Sequence, residues 1–284
     1  DRRQRQMCIR DSVCGEYPLA PAVQEAAERG RRIRRLMNPI ILSDIPFRPD
    51  TSGLLKQLRI GADSDEAETV FRLAEQAATV AHPRAMYGLA FVEAAGDDTI
   101  TIDGVTFKSR VLRVNLDGAR KVYPFIATCG MELEMWANGI TDPFERYCAE
   151  GVKQMALGAA IAAMSRHLDA LYSPGDTSTM NPGSLADWPL AEQRKLFAVC
   201  GDPQAAIGVS LTKSLLMVPT KSVSGIRFAS AERFENCALC PRVDCPGRRA
   251  PYDQALFDRK YRQADADSAT CAECGNSLTA AQMM

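Results

Sequence analysis

Apolar residues recur along this chain with two different periods, which predict its helices and strands. Between Asp63 and His82 the spacing is helical, and Asp63-x-x-Glu66 is a capping signal for a helix that Pro83 ends. We expect the apolar stripe of this helix to pack on a sheet, and the stripe consists of Ala67, Val70, Phe71, Ala74, Ala77, Ala78 and Ala81.

After Pro83 the pattern changes to alternation, which favours strands. Segments 86–94 and 99–106 flank the turn residues Gly96-Asp97-Asp98, an arrangement typical of a β-hairpin. A further strand is predicted over 122–128, and it runs through Cys129-Gly130 into a short helix.

A second helix begins at Asp142-Pro143-Phe144-Glu145, which supplies an N-cap, a first-turn proline and a closing glutamate. It runs to about Tyr172, and we expect its small-residue centre, 158–163, to pack on the sheet. Segment 172–187 is predicted as a loop, 189–199 as a helix and 207–230 as two or three strands around Pro219. Hairpin-linked strands with helices between them indicate an α+β domain.

Composition narrows the class of protein. With 284 residues, 46% of them apolar, the chain suits a globular protein of one or two domains. Its 34 basic and 35 acidic side chains nearly balance, so charge favours neither a nucleic-acid nor a membrane partner. The longest apolar run, 155–164, is too short to span a bilayer, and no signal peptide is visible. We therefore expect a cytoplasmic protein.

Four segments are predicted along the chain. Residues 1–13, DRRQRQMCIRDSV, look like translated adapter sequence and are set aside from fold prediction. Residues 14–38 form an N-terminal helical segment, 39–232 the α+β domain, and 233–284 a cysteine-rich C-terminal extension.

Segment 207–230, IGVSLTKSLLMVPTKSVSGIRFAS, has an order of residues too particular for generic sheet. It resembles the activation (reactivation) domain of vitamin B12-dependent methionine synthase. The shared residues are Ile207, Gly208, Leu211, Thr212, Ser214, Met217, Pro219, Ser222, Val223, Ser224 and Gly225. A looser resemblance covers 38–230 and includes Thr128-Cys129-Gly130 followed by Glu132.

This resemblance implies a fold, a role and partners. The fold is a C-shaped, mostly antiparallel sheet flanked by helices. Domains of this family bind S-adenosylmethionine beside a corrin-binding face and support reductive methylation of cob(II)alamin with electrons from flavodoxin. The implied partners are a corrinoid-binding methyltransferase or methionine synthase module, which carries the cobalamin, and a flavodoxin- or ferredoxin-type reductant. The implied cofactor-binding residues are Asn181, Pro182, Gly183, Ser184, Met217, Pro219, Ser222, Ser224 and Gly225.

The chain departs from the family where S-adenosylmethionine is held. The family has an arginine and then Pro-Gly-Tyr, because a guanidinium binds the methionyl carboxylate through two parallel hydrogen bonds. Aligned on Pro182-Gly183, this chain has Thr179 in place of the arginine and Ser184 in place of the tyrosine. We therefore do not expect the family's S-adenosylmethionine clamp here, and Arg166 and Lys195 are nearby candidates to replace its charge.

A cysteine cluster that the family does not carry follows this segment. Cys237, Cys240 and Cys245 lie close together in sequence, and clustered cysteines in a reducing compartment more often bind metal or do redox chemistry than form disulfides. One hypothesis is a [4Fe-4S] cluster. The candidates for its fourth ligand are Cys129, Cys271 and Cys274. A second is a zinc site, with the ligands Cys237, Cys240, Cys271 and Cys274. Unmetallated thiols are the third.

The sequence thus predicts a protein that docks on a corrinoid methyltransferase module and assists its reductive reactivation, with an iron–sulfur cluster as a source of electrons. One alternative is a non-catalytic, zinc-stabilised module that binds cobalamin or a corrinoid protein. Another is an S-adenosylmethionine-dependent activation domain with a rearranged clamp. A site built on histidine is not expected, because the chain has only His82 and His167.

Overall fold

The computed structural model describes residues 37–242, 244–245 and 247–262, together with the backbone of 269–270 and 277–278. The predicted adapter-like segment 1–13 and all but the last two residues of the helical segment 14–38 lie outside the described residues. No helix in the described part is long and apolar enough to cross a membrane.

The described elements alternate between strands and helices. The strands are β1 Ile40–Leu42, β2 Arg84–Tyr87, β3 Ala90–Ala95, β4 Thr99–Ile102, β5 Val105–Lys108, β6 Lys121–Thr128, β7 Thr177–Met180, β8 Ser210–Leu211, β9 Met217–Val218, β10 Ser222–Ala229, β11 Ala269–Thr270 and β12 Ser277–Leu278. The α-helices are α1 Thr51–Leu58, α2 Asp65–Val80, α3 Arg110–Asn115, α4 Met131–Asn138, α5 Pro143–Tyr172, α6 Gln193–Cys200, α7 Pro203–Ile207 and α8 Gln254–Lys260. Short 3₁₀ turns span Leu190–Glu192 and Asn236–Leu239.

Strand β6 is the centre of an eight-stranded sheet. Strands β2 and β3 pair with one of its edges and β10 with the other, and β7 pairs with the far edge of β10. All of these pairings are antiparallel. The predicted class, an α+β fold with a mostly antiparallel sheet flanked by helices, is therefore confirmed.

Both faces of β6 are covered, which explains why seven of its eight residues are buried. Val122 and Ile126 face a large apolar cluster that also contains Trp188 and residues of α3 and α6. Tyr123 and Phe125 face the other way, against the apolar side of α5. The sheet is thus a middle layer, with the long helix α5 on one face.

The prediction for helix α2 is right in extent to within two residues, but its N-cap is Ser64 and not Asp63, and the predicted packing is wrong. Its buried side chains include Leu73, which the predicted stripe omits, whereas Phe71 and Ala78 are exposed. The helix packs on α1, α4 and α5 rather than on the sheet. The reason is that α5 already covers this face of the sheet, so α2 buries its apolar side against helices.

Helix α5 begins as predicted, because Asp142 Oδ1 accepts a hydrogen bond from Glu145 N at 2.8 Å. The expectation for its centre holds only in part. Within 158–163, Ala160 is fully buried against the sheet, while Gly158 and Ala162 are exposed.

Two strand predictions need correction in detail. Segment 86–94 is interrupted at Gly88-Leu89, which separates β2 from β3, and 99–106 is divided by Asp103-Gly104. Both residues of that turn have positive φ, 44° and 77°, which suits a tight turn between β4 and β5. Segment 172–187 was predicted as a loop but contains β7, whose only strand partner in the described residues is β10.

Candidate functional site

Strand β10 and the loop after β7 are held together by a close backbone approach at Gly225. A Cβ atom at this position would lie 2.5 Å from Asn181 Nδ2 and 2.7 Å from Met180 O. The same Asn181 amide donates a hydrogen bond to Ser224 O at 2.8 Å. Three of the predicted cofactor-binding residues, Asn181, Ser224 and Gly225, therefore attach the loop to the sheet.

The other predicted cofactor-binding residues of segment 207–230 are Met217, Pro219 and Ser222, and they too contact other residues of this chain. Ser222 Oγ donates to Pro219 O at 2.8 Å and lies 2.8 Å from Thr128 Oγ1 on the paired strand. Pro219 follows a cis peptide bond and is buried, and Met217 packs against the large apolar cluster. The geometry thus gives these residues a positioning role within the sheet, and their role toward a cofactor stays a prediction.

A buried ion pair supports the turn that contains Pro219. No pattern in the sequence had indicated this pair. Lys153 Nζ of α5 lies 2.9 Å from Glu134 Oε2 of α4, with side-chain exposures of only 1% and 8%. Thr220, next to Pro219, completes the group, because its N–H donates to Glu134 Oε2 at 3.1 Å and its Oγ1 lies 2.9 Å from Lys153 Nζ. Glu150 Oε1 also accepts from Lys153, at 2.6 Å.

The ionised form of each partner is stabilised by the other. Burial by itself raises the pKa of Glu134, but hydrogen bonds from Lys153 and Thr220 outweigh it and hold the pKa below its ordinary value. Burial lowers the pKa of Lys153, and the carboxylates of Glu150 and Glu134 more than reverse this, so its pKa is raised. The pair is therefore charged at neutral pH.

Cys129, the first candidate for a fourth metal ligand, lies in a different apolar cluster from the one that Cys240 packs against. It is fully buried, and burial raises the pKa of its thiol to about 12. Cys148 and Cys200 are buried as well. The structure therefore places Cys129 apart from Cys240, and its role as a metal ligand stays a prediction.

The three cysteines of the extension that the structure describes, Cys237, Cys240 and Cys245, are each half-buried. Cys237 Sγ accepts a hydrogen bond from Arg249 N at 3.4 Å, and this contact lowers the pKa of the thiol. Within the described residues, no group of three histidine, cysteine or carboxylate side chains is arranged to hold a metal ion. Cys271 and Cys274 lie outside the described residues, so the zinc set and the cluster set both remain predictions.

The loop 181–190 is a compact turn fixed at two points. Gly183 N donates to Trp188 O at 2.8 Å, and the Trp188 ring is completely buried. Asp187 accepts hydrogen bonds from Ser109 Oγ, from Val111 N at 2.9 Å and from Arg110 N at 3.2 Å. Its carboxylate thus caps helix α3 from a distant part of the chain.

This loop and the cysteine-rich extension form the two walls of one cavity of about 520 Å³, within the range of small-molecule sites. The first wall consists of Gly183, Ser184, Leu185, Ala186, Asp187, Pro189 and Leu190, and the second of Leu239, Cys240, Pro241 and Phe257, with Val111 between them. The structure therefore brings Gly183 and Ser184 together with Cys240, which sequence reasoning had treated as separate sites.

The guanidinium that would clamp a methionyl carboxylate is not found in this cavity. Thr179 lies on β7, paired with Arg227 of β10, and the Arg227 side chain is bound to Thr177, Ser165 and Asp169. Lys195 is paired with Glu192 at 2.8 Å, and Arg166 is exposed on α5. Neither of these lines the cavity.

The comparisons with known proteins bear on the fold. No family model and no curated protein matches this chain. Among solved structures, the chain is similar to the MetH reactivation domain, in a crystal structure of that domain bound to AdoHcy, with a TM-score of 0.53 and 16% sequence identity. The match covers 71% of this chain and 81% of that chain. At this identity the likeness shows that the two chains share a fold.

Proposed function

We propose that the chain is a reactivation-domain-like protein that docks on a corrinoid-binding methyltransferase module and assists the reductive return of its cobalt to the active state. The observation that carries this proposal is the shared fold, which extends over 81% of the MetH reactivation domain. The segment 207–230 supports it further, because its resemblance to that family was evident from sequence alone.

Docking requires an exposed surface, and the hairpin β8–β9 offers one next to the segment that carries the resemblance. Its tip places Leu216, 63% exposed, beside the exposed Lys213. Lys221, in contrast, is half-buried and faces Glu150 at 3.5 Å. An apolar side chain beside a cation suits contact with a protein or with the amide-bearing rim of a corrin ring.

The methyl donor and the source of electrons are separate matters. The fold neighbour is bound to AdoHcy, yet this chain has Thr179 and Ser184 where the family clamps S-adenosylmethionine. Binding of that donor would need a rearranged clamp. The described cysteines do not by themselves assemble a ligand set, so an iron–sulfur cluster as the source of electrons stays a separate hypothesis.

The test uses a methyltransferase module loaded with cob(II)alamin and a low-potential reductant such as titanium(III) citrate. Return to methylcob(III)alamin takes one electron from the reductant, which gives cob(I)alamin, and one methyl cation from a donor such as S-adenosylmethionine, which leaves as S-adenosylhomocysteine. The visible spectrum of the corrin is therefore followed with and without S-adenosylmethionine. We expect a stable complex and faster loss of the cob(II)alamin spectrum when this protein is present. A complex that leaves the rate unchanged would favour the non-catalytic cap instead. If no complex forms, the protein is neither a reactivator nor a non-catalytic cap of this module.

Metal content is decided by a separate measurement on anaerobically purified protein. Iron with acid-labile sulfide would support the cluster, and one zinc ion per chain would support the structural site. Protein with neither metal would leave the cysteines as free thiols without affecting the docking proposal.

A further inference from the structure

A second chamber adjoins the cavity between loop 181–190 and the C-terminal extension. This chamber has a volume of about 340 Å³, and Asp187 and Phe257 line both spaces. The other residues that line it are Asp98, Lys108, Ser109, Arg110, Tyr261 and Arg262. The two chambers are therefore neighbours that share the lining residues Asp187 and Phe257.

The chambers differ in chemistry. Apolar side chains dominate the first, among them Val111, Leu185, Leu239 and Phe257. Charged side chains dominate the second, which has three cations and two carboxylates. A ligand that extends from one to the other would need an apolar body and a polar end.

Within the described residues, two of the three cations of the second chamber are paired with a carboxylate and one is not. Lys108 Nζ lies 3.6 Å from Asp98 Oδ2, and Arg262 Nη2 lies 2.8 Å from Asp258 Oδ1. Asp187 is the remaining carboxylate, and its oxygens are already bound by the donors at the start of α3.

Arg110 is that cation. Its Nη1 donates to the backbone carbonyl of Asp97 at 2.6 Å, and within the described residues its buried Nε has no hydrogen-bond partner. A guanidinium that is partly buried with unused donors gains most from a nearby carboxylate, which it binds through two parallel hydrogen bonds.

We propose that the two chambers form one binding site for an amphipathic monocarboxylate, whose apolar body fills the first chamber and whose carboxylate lies at Arg110. This site is independent of the proposed corrinoid partner. It uses no residue of the β8–β9 hairpin and requires no metal.

The test compares decanoate with decanol, which share an apolar chain and differ in charge. Isothermal titration calorimetry on the full chain should give one saturable site for decanoate, with a Kd at least tenfold lower than that for decanol. Raising the salt concentration should weaken decanoate binding and leave decanol binding almost unchanged.

Two variants locate the ligand, and a third serves as a control. Arg110→Met should raise the Kd for decanoate about tenfold, to the level of decanol, while Ala186→Trp should abolish binding of both by filling the first chamber. The matched control is Arg113→Met. Arg113 also binds the β3–β4 turn, through Gly96 O at 2.9 Å, but it lines neither chamber, so its loss should leave both Kd values unchanged.

The proposal is overturned by any of three results. These are equal affinity for decanoate and decanol, an equal loss in Arg110→Met and Arg113→Met, or no saturable binding at all. Circular dichroism and thermal unfolding establish that each variant is folded before titration. Because no corrinoid module is present in these titrations, their failure leaves the reactivation proposal as it stands.

Discussion

Lys153 Nζ and Glu134 Oε2 lie 2.9 Å apart inside the protein, and Thr220 joins them to the turn that contains the cis peptide bond before Pro219. Helices α4 and α5 each provide one partner. The segment that carries the family resemblance is therefore anchored by two charges that lie outside it.

This ion pair should have a large effect on stability. Lys153→Met leaves the Glu134 carboxylate buried without its cation, and removing one partner of a buried pair typically costs about 3–5 kcal/mol. We expect the free energy of unfolding, measured by urea denaturation, to fall by that amount. Lys195→Met is the control, because Lys195 is 42% exposed and its loss should cost less than about 1 kcal/mol. Equal losses of stability in the two variants would show that Lys153 and Glu134 do not form a stabilising buried ion pair.

The pair should also shape the dependence of stability on pH. The folded-state pKa of Glu134 lies below its ordinary value of 4.5, so its contribution is present above that pH and is lost as the pH falls through the folded pKa. The pKa of Lys153 is raised above 10.5, so its contribution is present below that pH and is lost as the pH rises through the folded pKa. Denaturation series from pH 3 to 7 should show a steeper acid decline in the wild type than in Glu134→Gln. Parallel curves would argue against the depressed pKa.

Gly225 should tolerate no side chain. The Cβ of Gly225→Ala would lie 2.5 Å from Asn181 Nδ2 and 2.9 Å from Phe125 Cε1, so β7 and its loop must move, at a cost of about 1–3 kcal/mol. Gly158→Ala is the matched control. In the described structure nothing lies within 4 Å of its added Cβ, and in a helix this change should stabilise by about 0.5–1 kcal/mol. Thermal unfolding of the two variants should therefore shift in opposite directions.

The cysteines should separate by reactivity. Among the cysteines of the described residues, Cys237 is half-buried with a lowered pKa, so iodoacetamide at neutral pH should modify it well before Cys129, whose burial raises the pKa of its thiol to about 12. Peptide mass spectrometry after timed labelling measures this order. Comparable rates of modification for Cys237 and Cys129 would show that Cys129 is accessible to solvent and not buried.

The same labelling tests the metal hypotheses. If Cys237 and Cys240 bind zinc or an iron–sulfur cluster, a chelator should speed their modification several-fold and leave Cys200 unaffected, because Cys200 is fully buried. An unchanged rate would indicate free thiols.

The exposed hairpin tip should matter for docking alone. Leu216→Asp replaces an apolar contact with a charge, so we expect at least a tenfold weaker affinity for a corrinoid module, with no change in thermal stability. Leu171→Asp, at the exposed end of α5, is the control and should have no effect on affinity. Equal losses would place the docking surface elsewhere.

Local patterns were enough to predict much of the fold. Asp142 and Pro143 begin α5 because capping depends on a few adjacent residues. The run 122–128 predicts β6 because a strand with both faces covered reads as nearly continuous apolar sequence. In the same way, the order of residues in 207–230 pointed to the fold that the MetH reactivation domain shares.

What the sequence could not determine depends on partners distant along the chain. Strand β7 was missed because its pairing is with β10, and the packing of α2 was wrong because α5 had already covered the sheet. The ion pair of Lys153 with Glu134 and the cavity between Gly183 and Cys240 join residues from separate elements. Periodicity and capping report which face of an element is apolar, whereas only the tertiary structure decides what that face meets.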